Sequence, residues 1–225
     1  YTQRISAAGV PLWPASGVAV CAAAGNQTMP EIVSDGATGA IVIWHDLRGG
    51  PTTDIYAQRI SSAGVIQWAL NGVPVSTATG SQYFPAIIPD AVGGAIVTWM
   101  DDRTGLGIDV YAQRISATGV TQWTPQGVAL STAASDQDSP QLVSDGAGGA
   151  IVTWYDYRSG LADIYAQRVS AAGVAQWIAD GVALCTATSY QYTPSIASDG
   201  SGGAIVTWED LRSGPTDIYA QRVSA

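Results

Sequence analysis

Four times along the chain a Trp, an Asp and an Arg stand at i, i+2 and i+4: Trp44-x-Asp46-x-Arg48, Trp99-x-Asp101-x-Arg103, Trp154-x-Asp156-x-Arg158 and Trp208-x-Asp210-x-Arg212. On a β-strand alternate side chains face the same way, so each set presents an indole, a carboxylate and a guanidinium together. Two chemistries suit that trio. The planar guanidinium pairs bidentately with carboxylate where Lys would not. With Asp54, Asp109, Asp163 and Asp217 across the following turn, it would make an Asp–Arg–Asp clip that ties a hairpin or braces neighbouring units. Alternatively, an indole floor under a polar pair is a sugar site, which makes these twelve residues the candidate ligand-binding set. An Arg beside a carboxylate lowers its pKa, which does not suit a general acid.

Other chemistry is sparse. His45 is the single His, there is no Lys and no Gly-x-Ser-x-Gly, so the usual base and nucleophile arrangements are missing. No catalytic residue is assigned, and the expectation is a chain that is not an enzyme. The turn aspartates Asp35, Asp90, Asp145 and Asp199 supply one carboxylate per loop, whereas calcium takes about six to eight oxygens. No metal and no cofactor is expected. Cys21 and Cys185 share the offset of Ser76 and Ser131 and read as small buried side chains. On different repeats they would lie beyond the roughly 7 Å reach of a disulfide. The second Arg series, Arg4, Arg59, Arg114, Arg168 and Arg222, follows Tyr-x-Gln and is expected to pack its stem and pair its head. Asn26-Gln-Thr28 is a glycosylation sequon, with Asn26 the acceptor.

These residues are positioned by a repeat. Tyr-x-Gln-Arg begins at Tyr1, Tyr56, Tyr111, Tyr165 and Tyr219, and each unit carries two of the eight Trp. Pro30, Pro85, Pro140 and Pro194 are in phase, as are Gly9, Gly64, Gly119 and Gly173. The units are 1–55, 56–110, 111–164 and 165–218, with an extra strand at 219–225, all in one domain. Short β-branched and aromatic runs bounded by Gly, Pro, Ser or Asp read as strands, and no sustained helical period occurs. In the third copy strands are expected near 128–133, 140–144, 149–156 and 163–170. Four strands joined by consecutive hairpins, at a period near the roughly 40–50 residues of such repeats, make a β-propeller blade.

The running pattern Pro-x-(Ile/Leu)-(Val/Ala)-Ser-Asp-Gly-x-Gly-Gly-Ala-Ile-Val-Thr-Trp-x-Asp-x-Arg-Ser-Gly resembles the blades of large secreted bacterial β-propeller proteins over the whole chain. The resemblance implies an all-β propeller of four-stranded meander blades in a secreted or cell-surface protein. The unit lacks both the Gly-His…Trp-Asp pair of WD40 blades and the Ser-x-Asp-x-Gly-x-x-Trp of the sialidase Asp-box. Circularly permuted termini are expected to share one closing blade, with one Tyr-x-Gln-Arg strand in surplus. A four-bladed ring, half of an eight-bladed ring and an open or head-to-tail array all fit.

Composition narrows the partners. The 225 residues include nine Arg, no Lys and 18 acids, for a formal net charge of -9. There is no basic patch for nucleic acid, and no apolar run long enough to span a bilayer. Tyr1 in place of an initiator Met reads as a processed or excised piece. The expected function is a non-enzymatic structural or adhesive module that associates with other copies of itself, including as a head-to-tail filament. The alternative is a multivalent lectin with one glycan site per blade.

Overall fold

The computed structural model describes residues 1–225 and contains strands but no helix. Three four-stranded blades run in sequence. The first is β1 (Gln27–Ser34), β2 (Ala40–Asp46), β3 (Asp54–Ile60) and β4 (Val73–Ser76). The second is β5 (Gln82–Pro89), β6 (Ala95–Asp101), β7 (Asp109–Ile115) and β8 (Val128–Ser131). The third is β9 (Gln137–Ser144), β10 (Ala150–Asp156), β11 (Asp163–Val169) and β12 (Val182–Cys185). The fourth has three strands, β13 (Gln191–Ser198), β14 (Ala204–Asp210) and β15 (Asp217–Val223). Each sheet is an antiparallel meander in sequence order, which is a β-propeller architecture.

The local chemistry explains the meander. In the β1–β2 turn the Asp35 carboxylate accepts hydrogen bonds from the amides of Ala37 and Gly39, both at 2.8 Å. The same turn forms in the second blade although Ala91 replaces the glycine. Ala91 holds φ at 65°, and Asp90 still caps Val92 and Gly94 at 2.9 and 2.7 Å. The first strand of every blade is bulged. Pairing with the second strand breaks between Thr28 and Glu31, and again between Tyr83 and Ala86, between Asp138 and Gln141, and between Tyr192 and Ser195. Met29, Phe84, Ser139 and Thr193 adopt positive φ there. The in-phase prolines directly follow them, where the ladder needs no donor.

Blades stack through apolar faces. Ile43, Ile55 and Val75 of the first blade meet Ile87, Val97 and Trp99 of the second. Val110 and Leu130 of the second meet Leu142, Val152 and Trp154 of the third. Ile164 then meets Val206 and Trp208 of the fourth. Fully burying each such side chain is worth about 1.5–3 kcal/mol, so these seams carry the fold.

The ends do not share a blade as the permuted arrangement requires. Residues 1–21 form a small hairpin of their own, with bridges Thr2–Val18 and Ile5–Pro11. That hairpin lies against the first blade, where Trp13 Nε1 donates to the Ser62 carbonyl at 3.0 Å. β15 pairs with β14 alone and stays largely exposed, as does β1. The extra Tyr-x-Gln-Arg strand takes the third-strand place of the last blade, and no strand follows it on its outer edge, so that blade is not closed by the N-terminal segment.

Two glycines separate backbone strain from packing. Gly127 and Gly146 both hold positive φ, 95° and 73°. A Cβ on Gly127 would lie 2.5 Å from the Trp99 ring, whereas one on Gly146 meets nothing within 4 Å. Both substitutions by Ala incur the left-handed penalty. Gly127→Ala is expected to cost about 1–3 kcal/mol more than Gly146→Ala, from overpacking, as read by denaturant unfolding. Equal losses would show that the Trp99 seam yields.

Candidate functional site

The sequence-defined trio folds into one bracket per blade. The Nε1 groups of Trp44, Trp99, Trp154 and Trp208 donate to Asp46, Asp101, Asp156 and Asp210 at 2.7–2.9 Å. Arg48, Arg103, Arg158 and Arg212 pair with the same carboxylates at 2.5–2.6 Å and also donate through Nε. Each guanidinium lies 3.8–4.0 Å over a Tyr ring: Tyr56, Tyr111, Tyr165 or Tyr219. It then reaches the preceding repeat, bonding Cys21 Sγ, Ser76 Oγ, Ser131 Oγ or Cys185 Sγ. Burial alone would raise the Asp46 pKa, but the bonds from Arg48 and Trp44 hold it below the usual carboxylate value. Bonding to Arg212 first, and then to Trp208, does the same for Asp210.

This geometry corrects the sugar-site expectation for the twelve residues. The four aspartates are fully buried and the four indoles are at most 4% exposed, so none of these four Trp offers a face to a sugar ring. It also redraws the clip, which is Trp–Asp–Arg rather than Asp–Arg–Asp. Asp109 and Asp163 accept from Thr104 and Ser159 hydroxyls at 3.3 and 2.7 Å, and Asp217 from Ser213. The second Arg series makes a matching brace at the opposite end of the blade. Arg59 binds Asp35 and the Ala117 carbonyl of the next blade, which Trp68 also bonds. Cys21 and Cys185 are free thiols. Asn26 is exposed beside the start of β1.

Chemistry concentrates where the repeat breaks. At one position the four copies carry Thr28, Tyr83, Asp138 and Tyr192; at another they carry His45, Met100, Tyr155 and Glu209. At the junction of the third and fourth blades these departures meet. Tyr155 stands edge-on to Tyr157 and to Tyr192, with ring centres 5.8 and 5.6 Å apart. Tyr190 stacks on Tyr192 at 5.4 Å. Asp138 pairs in register with Tyr155 and forms none of the eight side-chain ion pairs. Burial, and then the charge of Asp136, push its pKa up to about 6. Burial also raises Tyr155, and raises Tyr157 to about 12. All five groups are half-buried, so the cluster is open on one side.

A groove of about 170 Å³ runs across the bulged inner strands of the first three blades, lined by Met29, Glu31, Phe84, Ser139 and Gln141 with Pro85 and Pro140. Ser139 belongs to the groove and directly follows Asp138. Glu31 is exposed and unpaired with Arg, and Met29 and Phe84 are about half exposed. The sequence reading missed Asp138, the four tyrosines and this groove because it compared the copies for what they share. The in-phase positions at which one copy differs were the available signal.

No protein-family model matches the sequence, and no curated protein matches it in sequence. Solved structures do match its fold. An α-L-arabinanase of Penicillium chrysogenum complexed with arabinobiose aligns at a TM-score of 0.60 and 13% identity, over 88% of this chain and 62% of that one. A thermostable family-43 glycoside hydrolase aligns at 0.50 and 10%, over 90% and 73%. The family-93 α-L-arabinofuranosidase of Fusarium graminearum, with arabinobiose, aligns at 0.50 and 13%, over 86% and 60%. At these identities the likeness is one of fold, and fold alone does not carry function.

These matches count against the expectation of a non-enzymatic structural or adhesive module, because the same fold is found in glycoside hydrolases. That expectation rested on the lack of the usual nucleophiles and on carboxylates tied to Arg. Glycoside hydrolases, which share this fold, need only two carboxyl groups. Asp138 and Glu31 are carboxyls that no Arg holds. The one-site-per-blade lectin falls with the buried indoles.

The carboxyls set opposing pH trends. Asp138 and Asp109 have folded pKa values raised from 3.8 to about 6, in both cases mainly by burial. Such a group binds its proton more tightly when folded. It therefore destabilises the fold above about 6, and the penalty disappears as the pH falls toward 3.8. Asp46 and Asp210 are lowered, so they lose their stabilisation only at more acidic pH. Urea stability is expected to rise from neutral pH to about 4 and to fall below it. Asp138→Asn should raise stability by about 1–2 kcal/mol at neutral pH and leave it unchanged near pH 4. An equal effect at both pH values would mean that Asp138 is solvated.

Proposed function

We propose that this chain processes a glycan outside the cell, with its working site at the junction of the third and fourth blades and along the inner groove. One observation carries the reading: a half-buried carboxyl free of Arg, Asp138, pairs in register with Tyr155 in a cluster of four tyrosines, three of which have no counterpart in the other copies. Tyrosine rings offer flat apolar faces to the C–H faces of a sugar, and their hydroxyls offer hydrogen bonds. A carboxyl pKa near 6 keeps a proton available for donation around neutrality. Asp138 would protonate the glycosidic oxygen as its bond to the anomeric carbon breaks. A second carboxyl, for which Glu31 in the groove is the candidate, would take the proton of the water that attacks that carbon. The fold shared with arabinose-processing glycoside hydrolases supports this reading.

Release of reducing ends from a panel of plant and microbial polysaccharides tests it, with debranched arabinan as the first substrate. Asp138→Asn is expected to lower the rate by about a hundredfold or more, while Tyr190→Ala mainly weakens substrate binding. An undiminished rate in Asp138→Asn would remove Asp138 from the chemistry. No release from any polymer would overturn the proposal.

A further inference from the structure

The site's electrostatics bear on which glycans it accepts. The chain has no Lys, and none of its nine Arg is free to meet a ligand at the site. Eight are held in ion pairs at 2.5–3.0 Å. The ninth, Arg4, donates to the Ser62 carbonyl at 3.1 Å on the far side of the first blade. His45 is only 5% exposed, and burial lowers its pKa, so it stays neutral. The groove presents one carboxyl, Glu31 on β1, and the tyrosine cluster holds another, Asp138 on β9, which feels the charge of Asp136. Asp136 is anchored by accepting the Ile108 amide at 2.9 Å. The remaining lining is uncharged, from Met29 and Phe84 to Ser139, Gln141 and the four tyrosines.

We infer that this site takes uncharged glycans and rejects polyuronates and sulfated glycans. The inference rests on the glycan-processing reading above and adds the substrate class. A uronate entering the groove would surrender its hydration and meet carboxylates at contact range, where salt screens little, with no guanidinium to pair it. A neutral sugar has no such loss. Its apolar faces match Phe84, Met29 and the tyrosines, and its hydroxyls find Gln141, Ser139 and the phenols. The acidic groups then act as hydrogen-bond acceptors and exclude anionic competitors, so selectivity comes from repulsion as well as fit.

Affinity electrophoresis of the full chain tests this in gels carrying arabinan, arabinoxylan, polygalacturonate, dextran sulfate or chitosan, at low and at high salt. The expected result is retardation by at least one uncharged polymer, and binding to polygalacturonate and dextran sulfate weaker by roughly tenfold or more. Glu31→Arg places a cation in the groove at an exposed position with no ion pair to break. This variant is expected to gain retardation by polygalacturonate and keep its fold, as checked by near-UV circular dichroism. Binding of wild-type chain to polygalacturonate as tight as to the uncharged polymers would overturn the inference and leave the glycan reading standing. So would retardation by chitosan alone. No retardation by any polymer, together with no release of reducing ends, would overturn both.

Discussion

The structure depends on one contact repeated four times: a buried aspartate held by the Arg two residues on and the Trp two residues before. A carboxylate taken fully out of water is unfavourable by several kcal/mol unless its acceptors are filled. Here the indole and the guanidinium fill them, and the guanidinium is in turn seated on a tyrosine ring. The same group then reaches the outer strand of the preceding repeat, so one ion pair sets the internal hairpin and the blade-to-blade register together. Only a planar, multiply donating cation can do this, which gives a physical reason for a chain with nine Arg and no Lys.

That economy has an electrostatic consequence. Twelve of the eighteen acids are three Asp positions repeated four times. Asp46 and its equivalents are spent on brackets, Asp35 and its equivalents on turn caps and the second Arg series. Once these demands are met, no side-chain cation remains for other work at the site. A carboxyl added by divergence of a single copy is therefore left without a counter-ion. Asp138 is that case, and its raised pKa follows from the arithmetic of the scaffold.

The fold was largely legible because it is periodic. The phase of Trp, Pro and Gly located the strands of the third copy to within a few residues, and the Asp-Gly turns marked the hairpins. Two things were not legible. Whether the terminal strands join depends on competition between two segments with nearly the same sequence, Tyr1–Ile5 and Tyr219–Val223, which no local pattern decides. The burial of the indoles was equally hidden. A Trp at i+2 spacing from Asp reads alike as a sugar platform or a seam residue, and only the stacking of the next blade distinguishes them. The candidate site escaped for the opposite reason, because Asp138, Tyr190 and Tyr192 look like noise against the repeat.

Why the departures gather where they do follows from the bulge. The position held by His45, Met100, Tyr155 and Glu209 faces the first strand of the following blade, at the point where that strand leaves regular pairing. His45 packs edge-on against Phe84 at 5.8 Å, Met100 Sδ accepts the Ser139 amide at 3.5 Å, and Tyr155 meets Tyr192. Each junction thus has its own plug against a strand already released from the ladder. Replacing a plug or a bulge residue leaves the bracket and the turn caps intact. A buried imidazole with an unpartnered Nε2 is tolerated at one junction and a cluster of tyrosines around a carboxyl at another. The repeat supplies rigidity and the bulge supplies freedom, and the candidate site at the third junction uses both.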